Sequence, residues 1–236
     1  MRPRPDNAAV SPYAGMDVTH LLRLRAATRR DHPFLIWEPF EGASEQLTYA
    51  AFEHKVRACA DGMRARGVAP GDPILIHLEN CPELLIAWFA CACLGAIAVT
   101  TNARASAEEL AYFAGHSGAT AAITQPRFAE IVTASSRDLK WIALTDHDNG
   151  VPAVGSDAPA RAENYAALLG DTDRVRPLAP DPARPVGVQY TSGTTSRPKG
   201  VLWTHANALW GAQVNALHED LRADDVHLVF LPLYHT

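Results

Sequence analysis

The chain has 236 residues, of which 47% are hydrophobic and 20% are charged, and its formal net charge is −5 at pH 7. This composition is that of a globular protein with one large domain or two small ones, and it excludes a chain that is disordered throughout. The excess of acidic residues argues against nucleic acid or an anionic membrane surface as the main partner.

The amino-terminal segment and the cysteines bear on the compartment. The segment carries Arg2 and Arg4 but no apolar core, which argues against a secretory signal, so we expect residues 1–16 to be a disordered extension. The four cysteines lie in apolar stretches without zinc-ligand spacing, and we expect them to be buried and reduced, as in a cytoplasmic protein. A metal or redox pair at Cys91 and Cys93 is the alternative, but residues i and i+2 of a helix point apart.

Between residues 17 and 146 the sequence alternates predicted helices and strands. The helix signals include Thr48 as an N-cap, Pro82 in a first helical turn, and a capping box formed by Ser106 and Glu109. Short apolar runs between these helices predict buried strands at residues 34–37, 74–76, 97–101, 121–123 and 141–144. This order predicts an α/β fold with mostly parallel sheets flanked by helices.

Residues 84–99 form an unbroken apolar run and are the strongest candidate for a membrane segment. The run is shorter than the roughly 20 residues that a membrane span needs. It is rich in alanine and contains Gly95, which favours a buried helix followed by a buried strand. We therefore expect no membrane partner.

The composition changes after residue 146. Residues 147–185 are rich in Pro, Gly, Asp and Ala, and we interpret them as a linker with one short helix at 163–169. Residues 17–146 would then form a first α/β subdomain, and residues 186–236 would begin a second one. In this second part we predict strands at residues 186–190 and 200–204, a helix at 206–218, and a buried strand at 227–233.

The strongest functional signal is the connection between the first two of these strands, residues 191–199, here called the phosphate loop. Its first six residues all carry hydroxyl groups or are glycine: Thr191, Ser192, Gly193, Thr194, Thr195 and Ser196. Main-chain N–H groups, these hydroxyls and the ammonium group of Lys199 can together neutralise a polyphosphate. A polar hairpin turn is the alternative, but the run is longer than a turn needs. The loop differs from a Walker A motif, since Pro198 precedes the lysine and Gly200 follows it.

The residue types also restrict the backbone of the phosphate loop. Thr194 and Thr195 are β-branched and resist positive φ, so we expect any left-handed residue at Gly193 or Gly200. Ser196 should then keep a negative φ.

The sequence of this loop, Y-T-S-G-T-T-S-R-P-K-G, resembles the ATP signature of the adenylate-forming superfamily, which includes acyl-CoA synthetases, peptide-synthetase adenylation domains and luciferases. Ser196, Arg197 and the T-H-A-N sequence that follows are most similar to crotonobetaine/carnitine-CoA ligases. The carboxyl-terminal P-L-Y-H resembles the superfamily's P-L-F-H motif, which implies that His235 lines the pocket for the acid. The resemblance covers nearly the whole chain from about Thr19.

This resemblance implies an ATP-dependent ligase that joins a carboxylic acid to AMP, releases pyrophosphate and passes the acyl group to CoA. It assigns the β- and γ-phosphates of ATP to the phosphate loop, with Mg²⁺ accompanying the ATP, and it makes Lys199 and His235 the catalytic residues. Because members of the superfamily are roughly twice as long, it also implies that this chain is the front half of an enzyme. We therefore expect the isolated chain to be inactive and to have an unpaired sheet edge, which a homodimer could cover.

Two alternatives to a CoA ligase stay open. The acyl-adenylate could react with a different acceptor, either the thiol of a carrier protein or nitrite, as in ATP-dependent diazotases. The chain could instead be a truncated nucleotide-binding module without turnover. Neither the identity of the acid nor that of the acceptor follows from the sequence.

Overall fold

The computed structural model of the chain describes residues 11–153, 159, 161–191 and 197–234. The predictions for residues 1–10, for phosphate-loop residues 192–196 and for His235 concern residues outside these ranges. The first described helix, α1 (Val18–Thr28), begins after Asp17, whose carboxylate accepts a hydrogen bond from the backbone N–H of His20 at 2.7 Å.

Strands and helices alternate along most of the chain. The strands are β1 (Pro33–Trp37), β2 (Glu45–Thr48), β3 (Pro73–His77), β4 (Ile97–Thr100), β5 (Ala121–Thr124), β6 (Ile142–Leu144), β7 (His147–Asp148), β8 (Val151–Pro152), β9 (Ala162–Asn164), β10 (Pro185–Thr191) and β11 (Lys199–Thr204). The helices after α1 are α2 (Tyr49–Ala65), α3 (Pro82–Leu94), α4 (Ala107–Ser117), α5 (Ala129–Ser135), α6 (Tyr165–Leu168) and α7 (His205–His218).

The central sheet of the described residues has seven strands in the order β11-β10-β4-β3-β5-β6-β9. Every neighbouring pair runs parallel except β10 and β11, which form an antiparallel hairpin. The pairs β1–β2 and β7–β8 form separate two-stranded sheets. The predicted mostly parallel α/β fold is confirmed.

Strand β3 shows how helices cover both faces of this sheet. Ile74 and Ile76 belong to a core cluster with α2 and α3, whereas Leu75 belongs to a second cluster with α4 and α5. All three side chains are at most 1% exposed. Because successive side chains of a strand point to opposite faces, a strand between two helical layers needs a continuous apolar run.

The predicted helix boundaries follow from their caps. The Thr48 hydroxyl accepts a hydrogen bond from the N–H of Ala51, and Ser106 and Glu109 form both hydrogen bonds of a capping box. Helix α3 ends at Gly95, which has a left-handed φ of 69°. Only glycine adopts this conformation without a steric penalty, so the sequence fixes this helix end.

The central sheet includes strands from the predicted first subdomain, the predicted linker and the predicted second subdomain. Strand β9 comes from the predicted linker and pairs with β6, while β10 comes from the predicted second subdomain and pairs with β4. Strand β9 is short and polar, so it lacks the alternation of apolar and polar residues from which a strand can be predicted. The division into 17–146, 147–185 and 186–236 stays a prediction about folding units, although their strands share one sheet.

The described part of the predicted amino-terminal extension, residues 11–16, contacts the rest of the chain. The hydroxyl group of Tyr13 donates a hydrogen bond to Oε1 of Gln213 in α7 at 2.7 Å. Tyr13 and Met16 also pack against a small buried cluster that includes Val186 of β10. These contacts attach residues 13–16 to the α7 side of the sheet.

The predicted buried strand at residues 227–233 is wrong. No residue of this range lies in a strand, and Leu228, Phe230 and Leu231 are 80%, 78% and 62% exposed. An apolar run of branched and aromatic residues is typical of a strand, but a strand also needs a neighbour that pairs its backbone groups. Within the described ranges, no strand pairs with these residues.

The cysteines are free thiols. Cys59, Cys81 and Cys91 are buried and Cys93 is half-buried. Burial raises the pKa of the Cys59 and Cys93 thiols to about 12, so both stay protonated and unreactive near neutral pH. The described residues contain no group of three or more His, Cys, Asp or Glu side chains that could hold a metal ion. Of the helices described, none is long and apolar enough to cross a membrane.

Candidate nucleotide and acid site

The residues that flank the phosphate loop lie on the side of the sheet where the parallel strands have their carboxyl ends, here called the carboxyl edge. Strand β10 ends at Thr191, the adjacent β4 ends at Thr100, and the next strand, β3, ends at His77. Ligands of open parallel sheets bind in the crevice outside the carboxyl ends of the strands. This edge is therefore the candidate site.

The β10–β11 hairpin closes the base of the phosphate loop. Thr191 lies directly opposite Lys199 in the final residue pair of the hairpin. Residues in such a pair share one face of the sheet, with Cβ atoms about 5 Å apart. The structure thus brings together these two predicted phosphate ligands, and both are exposed to solvent. The other predicted loop ligands, Ser192, Gly193, Thr194, Thr195 and Ser196, lie outside the described residues.

Helix α4 contacts the chain at both ends of the phosphate loop. Before the loop, the ring of Tyr190 packs 4.4 Å from that of Phe113, and its hydroxyl oxygen lies 2.9 Å from Nδ1 of His116. Near the end of the loop, the hydroxyl group of Tyr112 donates a hydrogen bond to the carbonyl of Pro198 at 2.9 Å. One helix therefore holds the loop at its two ends.

Sequence reasoning missed this support by α4. Tyr112 and His116 are four residues apart and share one helix face, which was the available local signal. Nothing in the sequence connects that face to Pro198, which lies 86 residues after Tyr112. Burial raises the pKa of Tyr190 to about 12, so its hydroxyl group stays neutral. The guanidinium group of Arg197 also lies 5.4 Å from the centre of the Tyr112 ring, within cation–π range.

Gly200 leaves room for Tyr190, the residue opposite it in the hairpin. A Cβ atom at Gly200 would lie 3.1 Å from a methyl group of Val188 and 3.5 Å from the Tyr190 ring. Gly200 is not among the residues with positive φ, so this close approach is the reason for glycine here. The other expected left-handed position, Gly193, and the predicted negative φ of Ser196 lie outside the described residues.

Residues 231–234, here called the acid-side segment, cross the same edge of the sheet. The Asn80 side chain makes two hydrogen bonds to this segment: Nδ2 donates to the carbonyl of Leu231, and Oδ1 accepts from the N–H of Leu233, both at 2.8 Å. Asn80 lies between β3 and α3, three residues after the end of β3. The segment is therefore attached to the end of a central strand.

A third hydrogen bond joins the acid-side segment to β4. The hydroxyl group of Thr100 donates to the carbonyl of Tyr234 at 3.2 Å. The segment contains the P-L-Y part of the P-L-Y-H motif, while His235 itself is outside the described residues. The structure thus brings the residues before His235 to the strand ends beside the phosphate loop.

An apolar cavity of about 370 Å³ lies between α3, β10 and α7, on the sheet face that Thr191 and Lys199 share. Its apolar lining includes Leu84, Leu85, Trp88, Phe89, Trp203 and Leu233. Thr100, Gln189 and Asn215 are the polar side chains at its wall. Leu233 makes the acid-side segment part of this wall.

Two fully buried histidines near the sheet have structural contacts. Nδ1 of His77 lies 2.9 Å from the Thr101 hydroxyl, and burial lowers the pKa of His77 to about 4, so the ring is neutral. Nδ1 of His205 accepts a hydrogen bond from the N–H of Val18 at 3.4 Å, and burial lowers its pKa as well. His205 therefore links α7 to α1, which supports a structural role.

Comparison with known proteins identifies relatives of the chain. The profile of the AMP-binding enzyme family matches residues 22–236. A crotonobetaine/carnitine–CoA ligase of Salmonella paratyphi A is 35% identical over 216 residues, which cover 87% of this chain and 40% of that protein. The chain thus spans about two fifths of the length of this relative.

Solved structures share the fold. The apo structure of Mycobacterium smegmatis MbtA aligns with a TM-score of 0.80 at 28% identity, covering 100% of this chain and 43% of the other. The acetoacetyl-CoA synthetase from Streptomyces lividans aligns with a TM-score of 0.79 at 20% identity, covering 93% of this chain and 35% of the other. The profile match over residues 22–236 shows that the chain belongs to the AMP-binding enzyme family, a group of adenylate-forming ligases.

Proposed function

We propose that the protein containing this chain is an ATP-dependent, AMP-forming acid–CoA ligase. The observation that carries the proposal is the phosphate-loop sequence at the carboxyl end of β10, with Lys199 at its base and α4 holding both ends. The relatives named as CoA ligases support the same reaction class.

In the first step, the proposed role of the phosphate loop is to hold the β- and γ-phosphates of ATP. A carboxylate oxygen of the acid attacks the α-phosphorus, the bond from that phosphorus to the bridging oxygen breaks, and pyrophosphate leaves. Lys199 places a positive charge beside the leaving group, and fixed donors of this kind accelerate reactions by stabilising developing charge. The proposed loop ligands are Thr191, Ser192, Gly193, Thr194, Thr195, Ser196 and Lys199.

Mg²⁺ enters this proposal as the ion bound to ATP. Mg²⁺ in such sites keeps several waters and is held by substrate phosphates and one or two protein oxygens. The proposal assigns no metal ligand to the residues of this chain, and the phosphate oxygens of ATP are hard ligands of the kind that Mg²⁺ prefers. When bound, the ion would neutralise charge on the phosphates.

In the second step, a thiol attacks the carbonyl carbon of the acyl-adenylate, and AMP leaves with the oxygen that came from the acid. We propose CoA as the thiol and His235 as a residue of the acid pocket. The relatives named as crotonobetaine/carnitine–CoA ligases make these two acids the first candidates. A carrier-protein thiol and nitrite are the alternative acceptors.

Compartment and assembly belong to the same proposal. The free thiols of all four cysteines favour the reducing cytoplasm. The apolar side chains at residues 226–231 are exposed, so a homodimer that covers them is a candidate assembly. Sedimentation of the purified protein over a range of concentrations tests the dimer.

Pyrophosphate release by the purified gene product tests the function. The assay contains ATP, Mg²⁺ and a panel of carboxylic acids that includes crotonobetaine and carnitine, each with and without CoA. We expect acid-dependent pyrophosphate and CoA-dependent AMP release. Release that CoA does not promote would indicate another acceptor, and ATP binding without release would indicate a nucleotide-binding module. The isolated 236-residue chain should show no acid-dependent release.

A further inference from the structure

The acid-side segment follows a stretch that packs poorly against the rest of the described chain. Val226, Leu228 and Phe230 are 78% to 80% exposed, whereas Leu233 is half-buried. The exposure therefore decreases where the chain meets Asn80. This change indicates that residues 226–234 are held on the sheet by the contacts of residues 231–234. The packing of residues 226–230 contributes little.

The chemistry of Asn80 matches the backbone that it contacts. Leu231 and Leu233 flank Pro232, which has no N–H group and cannot donate to a neighbouring strand. The carbonyl of Leu231 and the N–H of Leu233 both face the Asn80 side chain, since each makes a hydrogen bond to it. A side-chain amide has one acceptor and one donor group in a plane, so Asn80 can satisfy both groups at once.

Asn80 is itself held in place by its neighbours. The N–H of Glu79 donates a hydrogen bond at 2.7 Å to Oε1 of Gln125, a residue that is fully buried at the end of β5. On the other side, Cys81 is 3% exposed and is the N-cap of α3. The backbone on both sides of Asn80 is thus held at the carboxyl ends of the strands.

From these contacts we infer that Asn80 is a positioning residue that holds the acid-side segment, residues 231–234, at the carboxyl ends of the central strands near Thr191 and Lys199. The inference about the segment depends only on the contacts described. Its consequence for catalysis rests on the proposed function: Asn80 should affect use of the acid and leave ATP binding unchanged, because the phosphate loop is held separately by α4.

Hydrogen exchange of the purified gene product tests the positioning role. We expect Asn80→Ala to accelerate exchange at the Leu233 amide about tenfold, equivalent to roughly 1.4 kcal/mol. Asn80→Asp keeps an acceptor for that amide but no donor for Leu231, and should accelerate exchange only about two- to threefold. Asn102→Ala is the matched control. Asn102 lies in the loop after β4, and its side chain accepts a hydrogen bond from the N–H of Arg104 in the same loop. Asn102→Ala should leave exchange at Leu233 unchanged.

Two exchange results would overturn the inference. One is an unchanged rate at Leu233 in folded Asn80→Ala, and the other is an equal acceleration throughout α3, which would mean general destabilisation. Should Asn80→Ala not fold, Asn80→Asp is decisive: a rate at Leu233 equal to the control or raised equally throughout α3 overturns the inference, and a local increase supports it.

Steady-state kinetics of the gene product tests the consequence for catalysis. Asn80→Ala should raise the KM for the acid about tenfold and change the KM for ATP by less than about twofold. Equal changes in both constants would refute a specific effect on the acid. If the wild-type protein shows no acid-dependent reaction while the exchange results hold, the proposed function fails and the positioning of the segment stands.

Discussion

The two sides of the candidate site are held in different ways. On the phosphate side, β10 and β11 pair through six residue pairs, and β10 also pairs with β4 inside the sheet. On the acid side, residues 226–234 form no strand, and hydrogen bonds with the side chains of Asn80 and Thr100 join the segment to the sheet. The phosphate side is therefore part of the fold, whereas the position of the acid side depends on a few side chains.

The largest effect should come from the charge on the phosphate side. Lys199→Ala should reduce pyrophosphate release by the gene product about 10²-fold or more, the effect of removing one fixed donor from a site of developing charge. ATP binding should weaken less than turnover. Lys140→Ala is the matched control, because Lys140 is exposed and precedes β6, at the amino-terminal edge of the sheet. Wild-type turnover by Lys199→Ala would remove this lysine from the proposed site.

The same substitution on the two sides should have unequal effects on stability. Val186 in β10 is fully buried and Val226 is 80% exposed. Val186→Ala should lower the free energy of unfolding by about 2 kcal/mol, and Val226→Ala should change it by less than about 0.5 kcal/mol. Urea denaturation of the 236-residue chain measures both. A similar loss for Val226→Ala would show that residues 226–230 are packed in solution, which would contradict the contrast.

Acid should destabilise the sheet edge that both sides share, because His77 is buried there as a neutral ring. Its pKa is about 4 in the folded chain and about 6.5 when unfolded, so the unfolded chain binds more protons between these values. The free energy of unfolding should therefore fall as the pH drops below about 6.5, by on the order of 1–2 kcal/mol at pH 5 from this residue.

His77→Gln isolates this contribution, since glutamine can still bond to Thr101 but does not titrate. Burial lowers the pKa of His205 in the same direction, while Glu83 raises the pKa of His147 and opposes it. The difference between wild type and His77→Gln, measured from pH 7 to pH 5, removes these shared effects. An identical pH dependence for both proteins would mean that His77 titrates normally.

Loss of the Tyr112 hydroxyl should have a smaller effect, which concerns the kinetics of ATP and not those of the acid. Tyr112→Phe removes the hydrogen bond to Pro198. It should lower kcat/KM for ATP about fivefold, because one neutral hydrogen bond contributes roughly 1 kcal/mol. The KM for the acid should stay unchanged, the reverse of Asn80→Ala. Tyr13→Phe is the control, because the Tyr13 hydroxyl bonds to Gln213 away from the loop. Equal effects of Tyr112→Phe on ATP and acid would contradict separate supports.

The sequence predicted the features that depend on neighbouring residues. The capping box of Ser106, the left-handed Gly95 and the alternating strands and helices all follow from local residue types. The contacts that support the site join distant parts of the chain, since Asn80 is 153 residues from Leu233 and Tyr112 is 86 residues from Pro198. Local periodicity reports which residues favour a strand but not whether a partner strand is present. The wrong strand at residues 227–233 has this cause.

In the proposed reaction, a carboxylate oxygen of the acid attacks the α-phosphorus of ATP. Incubating the gene product with ATP, CoA and an accepted acid labelled with oxygen-18 in its carboxylate tests this claim directly. One labelled oxygen should appear in AMP, because the bond between oxygen and phosphorus persists when the thiol takes the acyl group. Mass spectrometry of the nucleotides gives the answer. Label in inorganic phosphate with formation of ADP, or unlabelled AMP, would contradict the account.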